Sequence, residues 1–181
     1  MSPPRRLRSQ LLSRHPFFDL YTHHLELARG GRCIEVVSFA MPDWVAVAAV
    51  DERGRFVLVR QHRHGIDAHT LEPAGGLIDP GERADRAALR ELEEETGYRA
   101  EAVEELGSVH PNPALQDNRC HLFLARGARR IGAPHLSDEE ETEVVEMEAA
   151  EVQAAMWDGR ITHALGILTL TRALQRVNPA R

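Results

Sequence analysis

The chain contains no lysine: all 22 of its basic residues are arginine. That absence excludes Schiff-base chemistry and the phosphate-binding lysine of a P-loop. Any phosphate must then be met by Arg, backbone N–H groups or a metal ion. Cysteine is scarce too. Cys33 and Cys120 are far apart and in no Cys-x-x-Cys pattern, which argues against a disulfide scaffold or a thiolate zinc site and for a reducing cytoplasm. No apolar run approaches the roughly 18 to 20 residues of a membrane span, the longest candidate being Trp44 to Val50. Arg5, Arg6, Arg8 and Arg14 precede no uninterrupted apolar segment, so no secretory signal is expected. Surplus positive charge is also missing. With 28 acidic against 22 basic residues the formal charge is −6, the opposite of a nucleic-acid-binding domain.

What is present is the composition of a soluble globule, 43% hydrophobic and 28% charged over 181 residues. Residues 1 to about 16, rich in Arg and Pro, read as a mobile tail or docking arm. The β-branched runs at 33–40 and 44–50 are split by a Met41-Pro42-Asp43 turn. Asp51 to Gly54 joins the second run to FVLVR at 56–60 as a hairpin. Further strands are expected at 99–109, 120–125 and 144–147, with an HPNPALQDN loop between the first two. Helices are expected at about 83–96, 150–157 and 162–176. This uneven interleaving predicts an α/β layer fold with a mixed sheet rather than regular βαβ winding. Trp44 and Trp157 could stack on a base, but a role in packing is the expectation for a lone Trp in an apolar run.

The segment that carries chemistry is GGLIDPGERADRAALRELEEETGY, residues 75–98. Two glycine-containing turns lead into a helix that Gly97 ends. At about 100° per residue, Ala88, Leu89 and Leu92 form one apolar stripe, and Glu91, Glu94 and Glu95 cluster in the adjacent arc. Glu93 points to solvent. Three clustered carboxylates repel one another, and a hard divalent cation removes that repulsion. By itself ELEEE reads as an acidic helix face turned to water. Its flanks change the reading: Gly76, Glu82, Arg90-Glu91-Leu92, Glu94-Glu95 and Gly97-Tyr98 stand at fixed spacings.

Those spacings resemble the Nudix box of the Nudix hydrolases at every specified position. The resemblance implies an α/β/α sandwich around a mixed sheet, with a loop–helix–loop metal site for Mg²⁺ or Mn²⁺. Carried over by position, Glu91, Glu94, Glu95 and the carbonyl of Gly75 correspond to the metal ligands. Arg90 corresponds to the residue that orients the carboxylates, Glu82 to an auxiliary acid, and Glu94 also counts among the catalytic residues. The implied chain organisation is an N-terminal tail with strands over 1–43, serving dimerisation or the substrate, and a Nudix domain over 44–181 with its box at 76–98.

VRQHRHG at 59–65 and Pro113 after Gly97 resemble the branch acting on ADP-ribose and nucleoside diphosphate sugars. That branch implies diphosphate recognition by Arg63, with Leu77 on the substrate side; the alternative for Arg63 is an ordinary surface arginine. His62, His64 and His69 fit no metal-ligand spacing and read as loop histidines. Residues 138–151 hold eight acidic residues and no basic one. Their position resembles the branch's late acidic loop, with Glu140 as first and Glu141 as second choice for a catalytic glutamate. The implied reaction is hydrolysis of a small nucleotide substrate to a nucleoside monophosphate and a sugar phosphate, by a cytoplasmic homodimer without nucleic-acid or membrane partners. A dinucleotide, coenzyme A or an oxidised nucleotide as substrate, or a domain that only senses a nucleotide, are the alternatives.

Overall fold

Residues 45–50 and 56–59 contain no polar side chain, so strands built from them must be covered on both faces. The computed structural model, which describes residues 2–136 and 142–177, supplies both covers. In chain order it runs β1 (Arg5–Arg14), β2 (Asp19–Glu26), β3 (Cys33–Ala40), β4 (Trp44–Asp51), β5 (Phe56–Arg63) and β6 (Ala68–Glu72). There follow α1 (Ala84–Thr96), β7 (Tyr98–Arg99), β8 (Val103–Val109), β9 (Cys120–Arg130), β10 (Thr142–Met147), α2 (Ala149–Trp157) and α3 (Ala164–Val177). Two compact units result, Met1–Asp43 with His110–Arg119, and Trp44–Val109 with Cys120–Arg181.

The larger unit is a mixed sheet in the order β10-β5-β4-β9-β7, with β6 beside β5 and β8 beside β9. β4 and β9 are parallel, in a register that sets Val47 opposite Phe123. The remaining pairings are antiparallel. Alternation sorts the side chains into two cores. Val45, Val47, Ala49, Val57, Phe123 and Ala125 meet Ala87, Ala88 and Leu92 of α1. Ala46, Ala48, Val50, Phe56, Leu58, Leu122 and Leu124 meet Val152 and Ala155 of α2 and Leu170 and Ala173 of α3. This is the three-layer sandwich with a mixed sheet that the sequence predicts.

Polar ties fix one end of that sheet. Asp51 Oδ1 accepts the backbone N–H groups of Arg53 and Arg55, each at 2.8 Å, and Oδ2 accepts the Arg55 guanidinium at 2.7 and 2.9 Å. Burial alone would raise the Asp51 carboxyl, but these donors hold it below its ordinary value. Arg55 also pairs with Glu146 of β10, to which the Tyr98 hydroxyl donates. Burial, and then the Glu146 carboxylate, push the Tyr98 phenol up to about 12.

In the smaller unit β1, β2 and β3 form an antiparallel sheet, and the 110–119 loop joins it through Phe39 N–H to Leu115 C=O at 2.7 Å. The expectation of a mobile tail over 1–16 is corrected here: residues 5–14 pair along β2. Being exposed at nearly every position, β1 has no hydrophobic alternation to announce it. Trp44 packs against the α2/α3 core as expected. Trp157 does not, standing 85% exposed at the end of α2. Among the described residues no helix is long and apolar enough to cross a membrane.

Candidate active site

The site begins as a backbone contact. Residues 74–77 run antiparallel beside β4: Val47 N–H donates to Ala74 C=O at 2.8 Å and Val45 N–H to Gly76 C=O at 2.9 Å. The alternation of such a ladder turns the amide and carbonyl of Gly75 away from β4. Its N–H donates to Glu95 Oε2 at 2.9 Å. The Gly75 carbonyl therefore lies on the Glu95 side. Both glycines are there for close approach. A Cβ at Gly75 would strike the Val45 carbonyl, and one at Gly76 would lie 2.5 Å from Glu91 Oε1.

α1 brings the remaining charges to this strip. It ends where Gly97 adopts φ 68°, ψ 15°, a left-handed cap whose N–H returns to Glu93 C=O. With Ala88 and Leu92 on the core, Arg90, Glu91, Glu94 and Glu95 turn toward residues 75–82. Arg90 uses its whole donor set. Nε and Nη2 grip Glu82 at 3.1 and 2.9 Å, and Nη2 also reaches Leu77 C=O at 3.0 Å. Nη1 donates to Glu91 at 2.8 Å and Glu94 at 3.0 Å. The Glu82 contact, foremost, pushes Arg90 further up. Arg90 in turn holds the Glu82 carboxyl below its usual range.

Gly75, Gly76, Leu77, Glu82, Arg90, Glu91, Glu94 and Glu95 are thus brought to one place. Two of the carboxylates converge on a single positive nitrogen, and the set consists of hard oxygen donors. That chemistry suits a hard divalent cation held by Glu91, Glu94, Glu95 and the Gly75 carbonyl. No three His, Cys, Asp or Glu side chains among the described residues stand together as a finished ligand set. Arg90 meets the charge of Glu91 and Glu94, while Glu95, 6% exposed, turns inward to Gly75. Glu93 leaves this group and forks with Arg99 on the outer face of α1, at 2.7 and 2.9 Å.

Arg63 ends β5 beside a cavity of about 490 Å³ that is also lined by His62, His64, Glu72, Thr162 and His163. Its Nε and Nη2 fork onto Glu72 at 2.9 and 2.7 Å. Thr70 and His163 also contact that carboxylate, which is 2% exposed. Burial alone would raise the Glu72 carboxyl, yet the Arg63 fork, with the His163 contact and the Thr70 hydroxyl, prevails and holds it well below the carboxylate range. The histidines are not all in loops. His62 on β5 lies opposite His69 on β6, and the His62 ring meets His69 and His64 edge-on at 5.4 and 5.1 Å.

Glu72, Thr70, His163 and Gln61 are residues that sequence reasoning missed. The buried Gln61 Nε2 has no hydrogen-bond partner among the described residues. For Gln61 the signal was its place inside RQHR, and for Glu72 its place just ahead of PAGG. His163 carries no local signal. Glu140 and Glu141 lie outside the described residues.

A NUDIX domain model matches residues 41–165 of the chain. The chain is 32% identical over 164 residues to an ADP-ribose pyrophosphatase of Bacillus subtilis, covering 87% of this chain and 88% of that protein. It is 32% identical over 140 residues to a methanol dehydrogenase activator of Bacillus methanolicus, covering 74% and 76%. A crystal structure described as an ADP compounds hydrolase superposes with a TM-score of 0.87 over 99% of this chain and 96% of that one, at 21% identity. That last likeness is one of fold.

The two glycines make opposite predictions. Gly75→Ala drives a methyl into the β4 backbone, so the urea midpoint should fall, by roughly 2 kcal/mol or more of stability. Gly76→Ala meets first the far end of the Glu91 side chain, which can swing aside. That variant should fold like the wild type but need several-fold more divalent cation for half-maximal activity. Urea unfolding and cation titration of both variants measure the contrast.

Proposed function

The chain belongs to the Nudix family, and on that premise we propose that it hydrolyses the diphosphate of ADP-ribose or a related nucleoside diphosphate sugar. The products are a nucleoside monophosphate and a sugar phosphate. The observation that carries the reading is the Arg90 cluster, in which one guanidinium orders Glu82, Glu91, Glu94 and the Leu77 carbonyl beside the Glu95–Gly75 contact. Nudix hydrolases generally need a divalent metal. Mg²⁺ or Mn²⁺, held by Glu91, Glu94, Glu95 and the Gly75 carbonyl, would offset diphosphate charge and lower the pKa of a bound water.

The chain's own residues divide the rest of the work. Arg90 keeps Glu91 and Glu94 aimed at one point, so little reorganisation is needed when substrate arrives. The Gly75 N–H fixes Glu95. Arg63, with Nε and Nη2 committed to Glu72, offers Nη1 to a diphosphate oxygen, and Leu77 borders the substrate. Carboxylates that bind cations lose basicity, so a separate glutamate is needed to hold the attacking water or take its proton. Glu140, with Glu141 as second choice, is assigned that role. The ADP-ribose pyrophosphatase that matches most of this chain supports the substrate class. A homodimer is part of the reading, as is a cytoplasmic setting. Phe17, Val37, Leu7, Leu11 and Leu12 of the N-terminal unit are all exposed apolar side chains, which a second copy would cover.

With Mg²⁺, ADP-ribose should yield AMP and ribose 5-phosphate, identified by mass. Glu95→Gln keeps an acceptor for the Gly75 N–H but removes the charge, so turnover should fall on the order of 100-fold or more with the fold intact. Glu93→Gln, on the outer face, should stay near wild type. Wild-type turnover by Glu95→Gln at saturating Mg²⁺ would refute the ligand assignment. Glu140→Gln should lower kcat with little change in KM. Analytical ultracentrifugation at micromolar concentration should show twice the chain mass, and a 20.3 kDa species would remove the dimer.

A further inference from the structure

β9 changes phase near its end. Leu122 and Leu124 point to the α2/α3 core, and Phe123 and Ala125 to the α1 core. An unbroken strand would carry that alternation on, setting Ala128 beside Leu124 and sending Arg129 to the α1 side. Along β4, however, Val50 stands opposite Arg126 and Asp51 opposite Ala128, so Gly127, at φ 62°, is the extra residue of a bulge. Ala128 therefore reaches the α1 core, and Arg126 and Arg129 come to one face. Arg129 is also directly opposite Arg99 of β7. Like charges in that position repel, and each is drawn to its own carboxylate. Arg99 forks onto Glu93 at 2.7 and 2.9 Å, and Arg129 Nε donates to Glu52 at 2.8 Å.

These three arginines line a cavity of about 450 Å³ in the larger unit, with Ala100, Glu101 and Ile131 on its other sides. Arg126 spends Nη2 on Glu104 at 3.3 Å and on the Arg176 carbonyl at 3.1 Å. Among the described residues, Arg99 Nη1, Arg126 Nε and Nη1, and both Nη atoms of Arg129 donate no hydrogen bond. Ile131 is a half-exposed apolar side chain, and Glu101 is exposed. We propose that this cavity binds a nucleoside monophosphate, apart from the carboxylate site of α1. The phosphate takes the unused donors of Arg126 and Arg129, a planar geometry that suits its oxygens. Glu101 accepts from a ribose hydroxyl, and the base lies on Ile131 and Ala100. Orthophosphate alone would leave most of the cavity to water, whereas a volume of a few hundred Å³ is that of a small organic ligand. A nucleic acid does not fit the charge pattern. Glu52, Glu93, Glu101 and Glu104 surround the three arginines, so there is room for one phosphate and no basic track for the next. Those carboxylates hold other nitrogens, and the ligand adds to the ion pairs without displacing them. The site does not rest on the function proposed above.

Equilibrium dialysis of radiolabelled AMP, with EDTA present to keep cations from the α1 carboxylates, tests it without turnover. The wild type should retain AMP at submillimolar concentration. An Arg126→Gln, Arg129→Gln double variant should bind it on the order of tenfold more weakly or worse, and Glu95→Gln should bind it like the wild type. Adenosine and orthophosphate should each need at least roughly tenfold more than unlabelled AMP to displace the label. The ion pairs removed are exposed and add little stability, so the double variant should melt with the wild type. Ile131→Asp leaves every arginine in place and sets a negative charge on the apolar side, and it should weaken AMP to a similar degree. No retention by the wild type, or equal retention by the double variant, overturns the site. Loss in Glu95→Gln overturns it too, by assigning the binding to the α1 carboxylates. Displacement by orthophosphate as effective as by AMP, or wild-type binding by Ile131→Asp, overturns the nucleoside half. Displacement by adenosine as effective as by AMP overturns the phosphate half.

Discussion

One guanidinium organises the candidate site. Arg90 makes five contacts, and they run to a loop carboxylate, a loop carbonyl and two carboxylates of its own helix. Without that charge, Glu82, Glu91 and Glu94 would repel one another across a half-buried cleft, and the 77–82 loop would lose its anchor to α1. Lysine would not substitute. A guanidinium spreads its donors in a plane and can grip Glu82 with two nitrogens while a third serves Glu91 and Glu94. In a chain without lysine that geometry recurs, and Arg63 uses the same fork on Glu72.

The sheet gives this cluster a rigid base. β4 is buried from Val45 to Asp51 and is paired on both sides, to β5 and to parallel β9. It also carries the 74–77 strip along its first half. A site built on such a strand is held more accurately than one on a free loop. The cost is that side chains must be absent where backbone meets backbone, which is why two glycines precede the box helix. The same economy appears at Gly97, where a Cβ would strike the Gly132 carbonyl in addition to straining the cap.

Where apolar spacing and turn chemistry coincide, the sequence is legible. The box helix, its Gly97 stop, the β4–β5 hairpin and both C-terminal helices follow from period and punctuation alone, and the carboxylates of the box follow from spacing. Three things do not. β1 is held by its ladder to β2 and by cross-strand pairs such as Arg5 with Glu26 at 2.6 Å, so its arginines carry no strand pattern. β6 spends Glu72 on Arg63 and Thr70 on Glu72 instead of on a hydrophobic face, and a five-residue strand with two such positions has no period left to read. His163 meets Glu72 only because α3 begins beside β6, a tertiary coincidence no local pattern encodes. In both latter cases the polar side chains meet one another beside the Arg63 cavity and leave no apolar period behind.

Whether these carboxylates, ordered by Arg90, receive a divalent cation is tested without substrate or turnover by electron paramagnetic resonance of Mn²⁺ titrated into the protein. The wild type should remove the free-Mn²⁺ signal, and Mg²⁺ should compete it back. A Glu91→Gln, Glu95→Gln double variant, folded by circular dichroism, should leave the signal of free ion intact. Equal Mn²⁺ uptake by the wild type and that variant would contradict cation binding by these carboxylates.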